Sequence, residues 1–318
     1  MTLSAILAGM HVSRQRLGDL RLVVFGAGTA GVGIADQVRD AIAMERGVGK
    51  EEASKQIWYV GPSHQWHDTG YKSITDTEPT RLIDKPGLLT TEVDVLSDAQ
   101  KPYARPEDWT GKKTDLLGVI REVKPNVLVG TSTVPKAFTE EIVRAMAEHV
   151  DRPIILPLSN PTKLHEATPA DVLSWTDGRA LVATGSPFKP VKGPWGPGGE
   201  EVEVEVGECN NSVVYPGIGL GSVLCRTRFV TDRMLFAAVN GVVELSPALK
   251  DDTAPLLPGA DAVRQVSVRV ARKVIQAAVE EGVATETGIP TDEEELDDWI
   301  REQMWDPVYR PLKRVEAN

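Results

Sequence analysis

The stretch "VVFGAGTAGVGIA" (residues 23–35) decides how the rest of the chain is read. An apolar, branched run, "RLVVF" (21–25), predicts a short buried strand. Gly26, Gly28 and Gly31 follow in the G-x-G-x-x-G spacing, and a helical pattern runs on to about Arg46. Each glycine has a physical reason. Gly26 makes the tight turn, Gly28 lets the backbone approach a pyrophosphate, and Gly31 lets helix and strand pack closely. Thr29 and Ala30 open the helix with Gly31, whose first N–H groups are free to meet an anion. Gly33 is expected to add room for the same close packing. The competing reading is a tight turn packed on a sheet; strand-turn-helix context favours a dinucleotide site.

Outward from this turn, strands alternate with helices. Strands are expected at 55–60, 126–130, 152–158 and 180–185, and helices at 114–123, 138–150 and 169–176. Thr139 is the expected cap of the 138–150 helix. This alternation implies an α/β fold with a doubly wound, mostly parallel sheet. "VKGPWGPGGEEVEVEVGE" (191–208) breaks the rhythm, and its Glu/Val alternation suits a half-exposed hairpin strand at best. From Gly217 the chain reads as mostly helical, ending in the acidic "TDEEELDDWIREQMW" (291–305), a solvated helix face by composition. The opening "MTLSAILAGM" reads as a helix turning Ser4, Ala5, Leu7 and Ala8 inward, without the charged region or cleavage site of a signal peptide.

Composition excludes several classes. The 318 residues are 41% hydrophobic and 25% charged, as in ordinary globular proteins, and no apolar run approaches membrane-spanning length. A net charge of −11 without a basic cluster argues against nucleic acid. Cys209 and Cys225 supply neither a disulfide framework nor metal-ligand spacing.

The glycine turn raises one difficulty. A carboxylate should follow the second strand and hold the ribose hydroxyls, yet Gly61 and Pro62 stand there. Glu51 and Glu52 precede the strand and read as helix-surface charges. His64 or Lys72 could meet a 2′-phosphate, or be plain loop residues. Asn160, after a strand end, could donate to a carboxylate or ribose through its amide, or simply turn the chain before Pro161. Asn210 and Asn211 precede a helical run near Pro216 and could equally be caps. Thr131 and Ser132 end another strand and could line a nicotinamide pocket or form a turn. His149 and His165 read as helix-surface or loop residues, and Glu166 and Asp171 lack the pattern of a metal site.

"GAGTAGVGIA", "AFTEEIVRAMAEH", "LSNPT" (158–162), "TGSPF" (184–188), "CNNSVVYPGIGLG" (209–221) and "REQMWDPVYRPL" (301–312), taken in order, closely resemble the cofactor-binding half of malic enzymes, nearest to the fungal and bacterial branches. The resemblance implies a Rossmann-type NAD(P)-binding domain over 1–250, with a helical extension over 251–318 packed on it. It implies NAD or NADP as cofactor, held at Gly26, Gly28, Thr29, Ala30, Gly31, Thr131, Ser132 and Asn160. It implies malate or pyruvate contact at Asn160, Asn210 and Asn211. In the family, the second strand ends in an Asp that runs into "GLL". Here "IDKPGLL" (83–89) is displaced, so the matching carboxylate is Asp84, and residues 61–83 are an insertion of 23 residues. That insertion reads either as translated intervening sequence or as a tolerated surface loop. Asp84 leans towards NAD, and Lys85 beside it softens that preference.

The resemblance also implies oxidative decarboxylation of (S)-malate to pyruvate and CO2. The family's Tyr, Lys and carboxylate metal ligands (for Mg or Mn) lie upstream of its glycine turn, and none is matched here. The chain by itself is therefore expected to be inactive, the alternative being a non-catalytic dinucleotide-binding module. Family members are homo-oligomers. The expected location is cytoplasmic or mitochondrial, any targeting segment lying upstream of Met1.

Overall fold

In the computed structural model, residues 1–61, 87–91, 96–106, 109, 111–306 and 308–309 are described. Strands β1 (Leu22–Phe25), β2 (Ile57–Gly61), β3 (Gly87–Leu88), β4 (Val127–Gly130), β5 (Ile154–Pro157) and β6 (Leu181–Thr184) lie in one sheet with β9 (Gly207–Glu208). Its order is β3-β2-β1-β4-β5-β6-β9. Every neighbouring pair is parallel except β2 with β3. The doubly wound expectation holds, and the order reverses between β1 and β4, where such sheets open a ligand crevice. Register makes that edge even: Phe25 pairs with Val60 on one side and Gly130 on the other, and Gly130 pairs with Pro157.

All four residues of β1, β4, β5 and β6 are buried, as strands covered on both faces must be. The two-residue period sorts them between two cores. Leu22, Val24, Val127, Val129, Ile154 and Leu156 face one side. There they meet α1 (Thr2–Val12), α2 (Thr29–Arg46), α8 (Asp232–Val243) and α9 (Val263–Glu280). Val23, Phe25, Leu128 and Ile155 face the other, under α4 (Leu116–Val123), α5 (Glu140–Ala147) and α6 (Pro169–Trp175). Short α3 (Lys50–Ser54) leads into β2, and α7 (Tyr215–Leu224) and α8 both pack along α9, which also carries α10 (Glu293–Gln303). Thr139 caps α5 as expected, accepting from the Ile142 N–H, and Thr168 caps α6. No helix among the described residues is long and apolar enough to cross a membrane.

Three expectations need correction. Helix α1 is buried almost all round, with Leu3, Ile6 and Met10 inside and Leu7 only partly covered, because it is wedged among α2, α8 and β5. The Glu/Val stretch does pair as a hairpin, β8 (Val202–Val204) against β7 (Val191–Gly193), but the chain then adds β9 to the main sheet. A two-residue strand has no hydrophobic period to announce it. Helix α10 is not merely a solvated face, since Leu296, Asp297 and Ile300 are buried.

Candidate functional site

The loops that leave β1, β4, β5, β6 and β9 gather at the carboxyl edge of the sheet. Gly26 adopts φ +116°, and a Cβ there would lie 2.6 Å from the Thr131 carbonyl carbon and 2.7 Å from the Ser132 nitrogen. The first two loops thus touch backbone to backbone. Thr131 Oγ1 donates to the Gly26 carbonyl at 2.9 Å. A Cβ on Gly31 would sit 2.1 Å from that same carbonyl oxygen, so the helix can start so close to the strand only with glycine. Gly28 is different. Among the described residues nothing lies within 4 Å of its notional Cβ, and its φ is an ordinary −77°. The space beside it is open to an approaching group. Gly33 is exposed, and among the described residues nothing lies within 4 Å of its notional Cβ, so no described neighbour makes use of the room expected there for close packing.

Helix α2 begins at this opening. Gly28 is its N-cap, no side chain among the described residues caps it, and its first turn holds no acid. Thr29 and Ala30 are exposed, leaving the first N–H groups of an 18-residue helix facing outward with the positive end of its dipole. The turn is braced from behind. Tyr59 Oη donates to the Gly31 carbonyl at 2.6 Å, and Gln100 Nε2 donates to the Ala27 carbonyl at 3.0 Å. Tyr103 Oη donates to Asp36 at 2.6 Å, edge-on to the Tyr59 ring at 5.1 Å. Burial pushes both phenols upward, so they stay neutral donors. Sequence reading missed Tyr59 and Gln100: one looks like any strand aromatic, and the other sits in an unpatterned loop.

Asn160 follows β5 and is exposed. Its Nδ2 donates to the Gly185 carbonyl at 3.0 Å, and its Oδ1 accepts from Ser186 Oγ, joining the loops after β5 and β6. Asn210 follows β9 and caps a short turn, accepting from the Ser212 N–H at 2.9 Å and donating to Glu208 at 2.9 Å. Asn211 donates to Tyr215 Oη at 3.3 Å. Cys209 N–H donates to the Thr184 carbonyl, which sets this turn beside the β6 loop. Gly26, Gly28, Thr29, Ala30, Gly31, Thr131, Ser132, Asn160, Asn210 and Asn211 thus share one edge of the sheet. Asp84 lies outside the described residues. His149 is exposed at the opposite edge, by a cavity of about 620 Å³ lined also by Arg14, Arg21 and Arg46.

Two neighbours in sequence are more deeply buried than anything local announces. Glu166 is fully buried and reaches back to Ser132 and Ser159. His165, read as a surface or loop residue, lies in a loop but is 4% exposed, its ring 5.2 Å from Phe188. Among the described residues neither ring nitrogen has a hydrogen-bond partner. Burial lowers its pKa, opposed by the nearby Glu166 charge. Its folded pKa lies below the ordinary 6.5, so on acidification the unfolded chain takes up this proton first. Stability from this site is full above that value and declines as pH falls from there towards the folded pKa. Thermal melts at pH 7.5 and 5.5 should show a smaller acid loss for His165→Phe than for the wild type. An equal loss would show that His165 does not titrate with unfolding.

The open Gly28 corner and uncapped helix fit the pyrophosphate of a dinucleotide. A divalent cation does not fit what is present: among the described residues, no three His, Cys, Asp or Glu side chains are placed to hold one.

The family described as "Malic enzyme, NAD binding domain" matches residues 1–69 and 62–279. NAD-dependent malic enzyme 3 of Bacillus subtilis (strain 168) is 42% identical over 326 residues, covering 99% of this chain and 51% of that protein. The mitochondrial NAD-dependent malic enzyme of Saccharomyces cerevisiae is 40% identical over 333 residues, covering 99% of this chain and 45% of that protein. Among solved structures, the malic enzymes of Entamoeba histolytica and Pyrococcus horikoshii Ot3 each share the fold at a TM-score of 0.67 and 20% identity. Both matches cover 95% of this chain, and 51% and 57% of those chains. The chain spans about half the length of the curated relatives it matches. With the glycine turn at the point where the strand order reverses and a family match along most of its length, the chain belongs to the malic enzyme NAD-binding domain family.

Proposed function

We propose that this chain is the dinucleotide-binding half of a malic-enzyme-type oxidoreductase, which oxidatively decarboxylates (S)-malate to pyruvate and CO2. One observation carries the reading: the α2 N-terminus, which no described side chain caps, opens at the sheet's switch point onto a side of Gly28 that no described residue obstructs. There the N–H groups of Thr29, Ala30 and Gly31 would hold the pyrophosphate, with Thr131 and Ser132 beside the nicotinamide half. Asn160, Asn210 and Asn211 would contact the substrate carboxylates through amides already oriented by their loop partners. Bound NAD would supply the hydride acceptor; this chain's residues bind and orient. The proton-transfer groups and the cation would come from the part of the relatives that this chain does not span. Because the chain spans only 51% and 45% of the two curated relatives, a second statement goes with the first, that this chain alone binds dinucleotide without turnover.

Asp84 is assigned to the adenine ribose, which favours NAD over NADP by repelling a 2′-phosphate. Two observations support treating 61–83 as an insertion that leaves this assignment intact. Val60 pairs with Leu88, and Gly61, the first residue of the segment and the last of β2, pairs with Gly87, so the chain re-enters the sheet beside the point where it leaves. The family model matches in two spans, 1–69 and 62–279, whose overlap falls inside the segment. Without 61–83, only residues 84–87 would link Val60 to Leu88, an ordinary hairpin length. The shorter loop should stabilise the fold by about 1–2 kcal/mol in closure entropy. A deletion variant is expected to melt a few degrees higher and to bind NADH at least as well. Loss of the cooperative melt would show that the segment is part of the fold.

The reading itself is tested by titrating the purified chain with NADH and NADPH, following cofactor fluorescence, and by assaying malate oxidation with Mn2+. Saturable binding with NADH preferred, and no turnover, is expected. Failure to bind either cofactor, or turnover by this chain alone, would contradict it.

A further inference from the structure

We propose that Glu166 is a positioning residue that fixes the two loops receiving the nicotinamide half of the dinucleotide. The inference rests on the dinucleotide reading above. Its side chain is completely buried, and no Lys or Arg among the described residues pairs with it. Hydrogen bonds take the place of a counter-charge. Oε1 accepts from the Ser132 N–H at 2.9 Å, Ser132 Oγ at 2.8 Å and Ser159 Oγ at 2.5 Å, while Oε2 faces the Ser159 N–H at 3.4 Å. A carboxylate is suited to this point because it only accepts, and every group aimed at it donates.

Both hydroxyls are used twice. Ser159 Oγ also accepts from the Thr133 N–H at 2.8 Å, and Ser132 Oγ from the Val134 N–H at 3.1 Å. Three successive amides after β4 are therefore fixed, directly or through one hydroxyl, by a single carboxylate. Among them Thr133 is held at φ +58°, a conformation a β-branched residue seldom adopts unaided. Gly130 leaves the necessary room, since a Cβ there would lie 2.5 Å from Glu166 Cδ. The two clamped loops lead onward to the site. Ser132 follows Thr131, which holds the Gly26 carbonyl, and Ser159 precedes Asn160, which holds Gly185. In a doubly wound sheet the β4 and β5 loops lie on the second mononucleotide's side of the crevice, away from the half served by β1 and β2.

Glu166→Gln keeps the volume and removes the charge, so it tests the clamp with little risk to folding. Hydrogen exchange of the ligand-free chain should rise about tenfold or more in residues 131–136 and 158–160, with β1 and β6 unchanged. Affinity for NADH should fall about tenfold, while ADP-ribose, which lacks the nicotinamide, binds within twofold of the wild type. Adding Ser159→Ala to Glu166→Gln should cost little more, because both remove one network. Exchange rising across the whole sheet with both ligands weakened equally would overturn the proposal, leaving only a structural role. So would unchanged exchange and affinity. If the unmodified chain binds neither ligand, the dinucleotide reading and the nicotinamide role fall together, and the exchange measurement still decides whether Glu166 holds the loops.

Discussion

Gly28→Ala should leave stability within about 1 kcal/mol of the wild type and weaken NADH binding about tenfold or more, whereas Gly31→Ala should damage the fold itself. The two glycines belong to one motif, three residues apart, and the structure separates their duties. A methyl group at Gly28 sits on an ordinary backbone conformation and meets none of the described residues within 4 Å, so none of them resists it. It would occupy the gap through which the pyrophosphate must reach the helix amides. At Gly31 the methyl carbon would fall 2.1 Å from the Gly26 carbonyl oxygen and 2.9 Å from Thr131 Oγ1. Relief requires moving α2 off β1 and breaking the hydrogen bond from Tyr59, and overpacking of this kind costs roughly 3 kcal/mol or more. Urea unfolding of both variants, beside NADH titration, checks the contrast. Equal stability losses would mean that the turn has no open side.

The second large effect lies in the C-terminal helices. Asp297→Ala should destabilise the protein by about 3 kcal/mol, and its neighbour Asp298→Ala by less than about 0.5 kcal/mol. Asp297 is 8% exposed and lies 3.4 Å from Nε of the buried Arg272, whose Nη1 also donates to Glu293 at 2.9 Å. Removing the carboxylate leaves a buried guanidinium held only from the exposed side. Asp298 pairs with Arg301 at the surface, where such contacts contribute little. Replacing Arg272 and Asp297 together by Met and Leu should recover much of the loss, because no charge then remains buried. Equal effects at 297 and 298 in chemical denaturation would contradict the burial of this pair.

How far the sequence could be read depends on the range of the interaction. The glycine turn is legible because its constraints lie within six residues, and the buried strands because apolar content is itself the signal. Thr139 could be identified as a cap since its partner is three residues away. Glu166 could not, because its carboxylate meets Ser132, 34 positions earlier, and nothing local marks it as buried. Asp297 was hidden by its company: in an acidic run the one inward carboxylate looks like the outward ones, and Arg272 lies a helix away. Tyr59 and Gln100 escaped for the same reason as Glu166. At Asn160 and Asn210 the competing readings, turn or cap against ligand amide, are compatible in the structure, since each side chain makes its local bonds at the crevice edge.

If the α2 N-terminus holds the dinucleotide, the amide resonances of a 15N-labelled sample should record it as NADH is added. Saturable shifts are expected at Gly28, Thr29, Ala30, Gly31 and Thr131, with the amino edge of the sheet unmoved. Shifts confined instead to the cavity lined by Arg264, Arg269 and Arg301, or no saturable shift at the glycine turn, would contradict that placement.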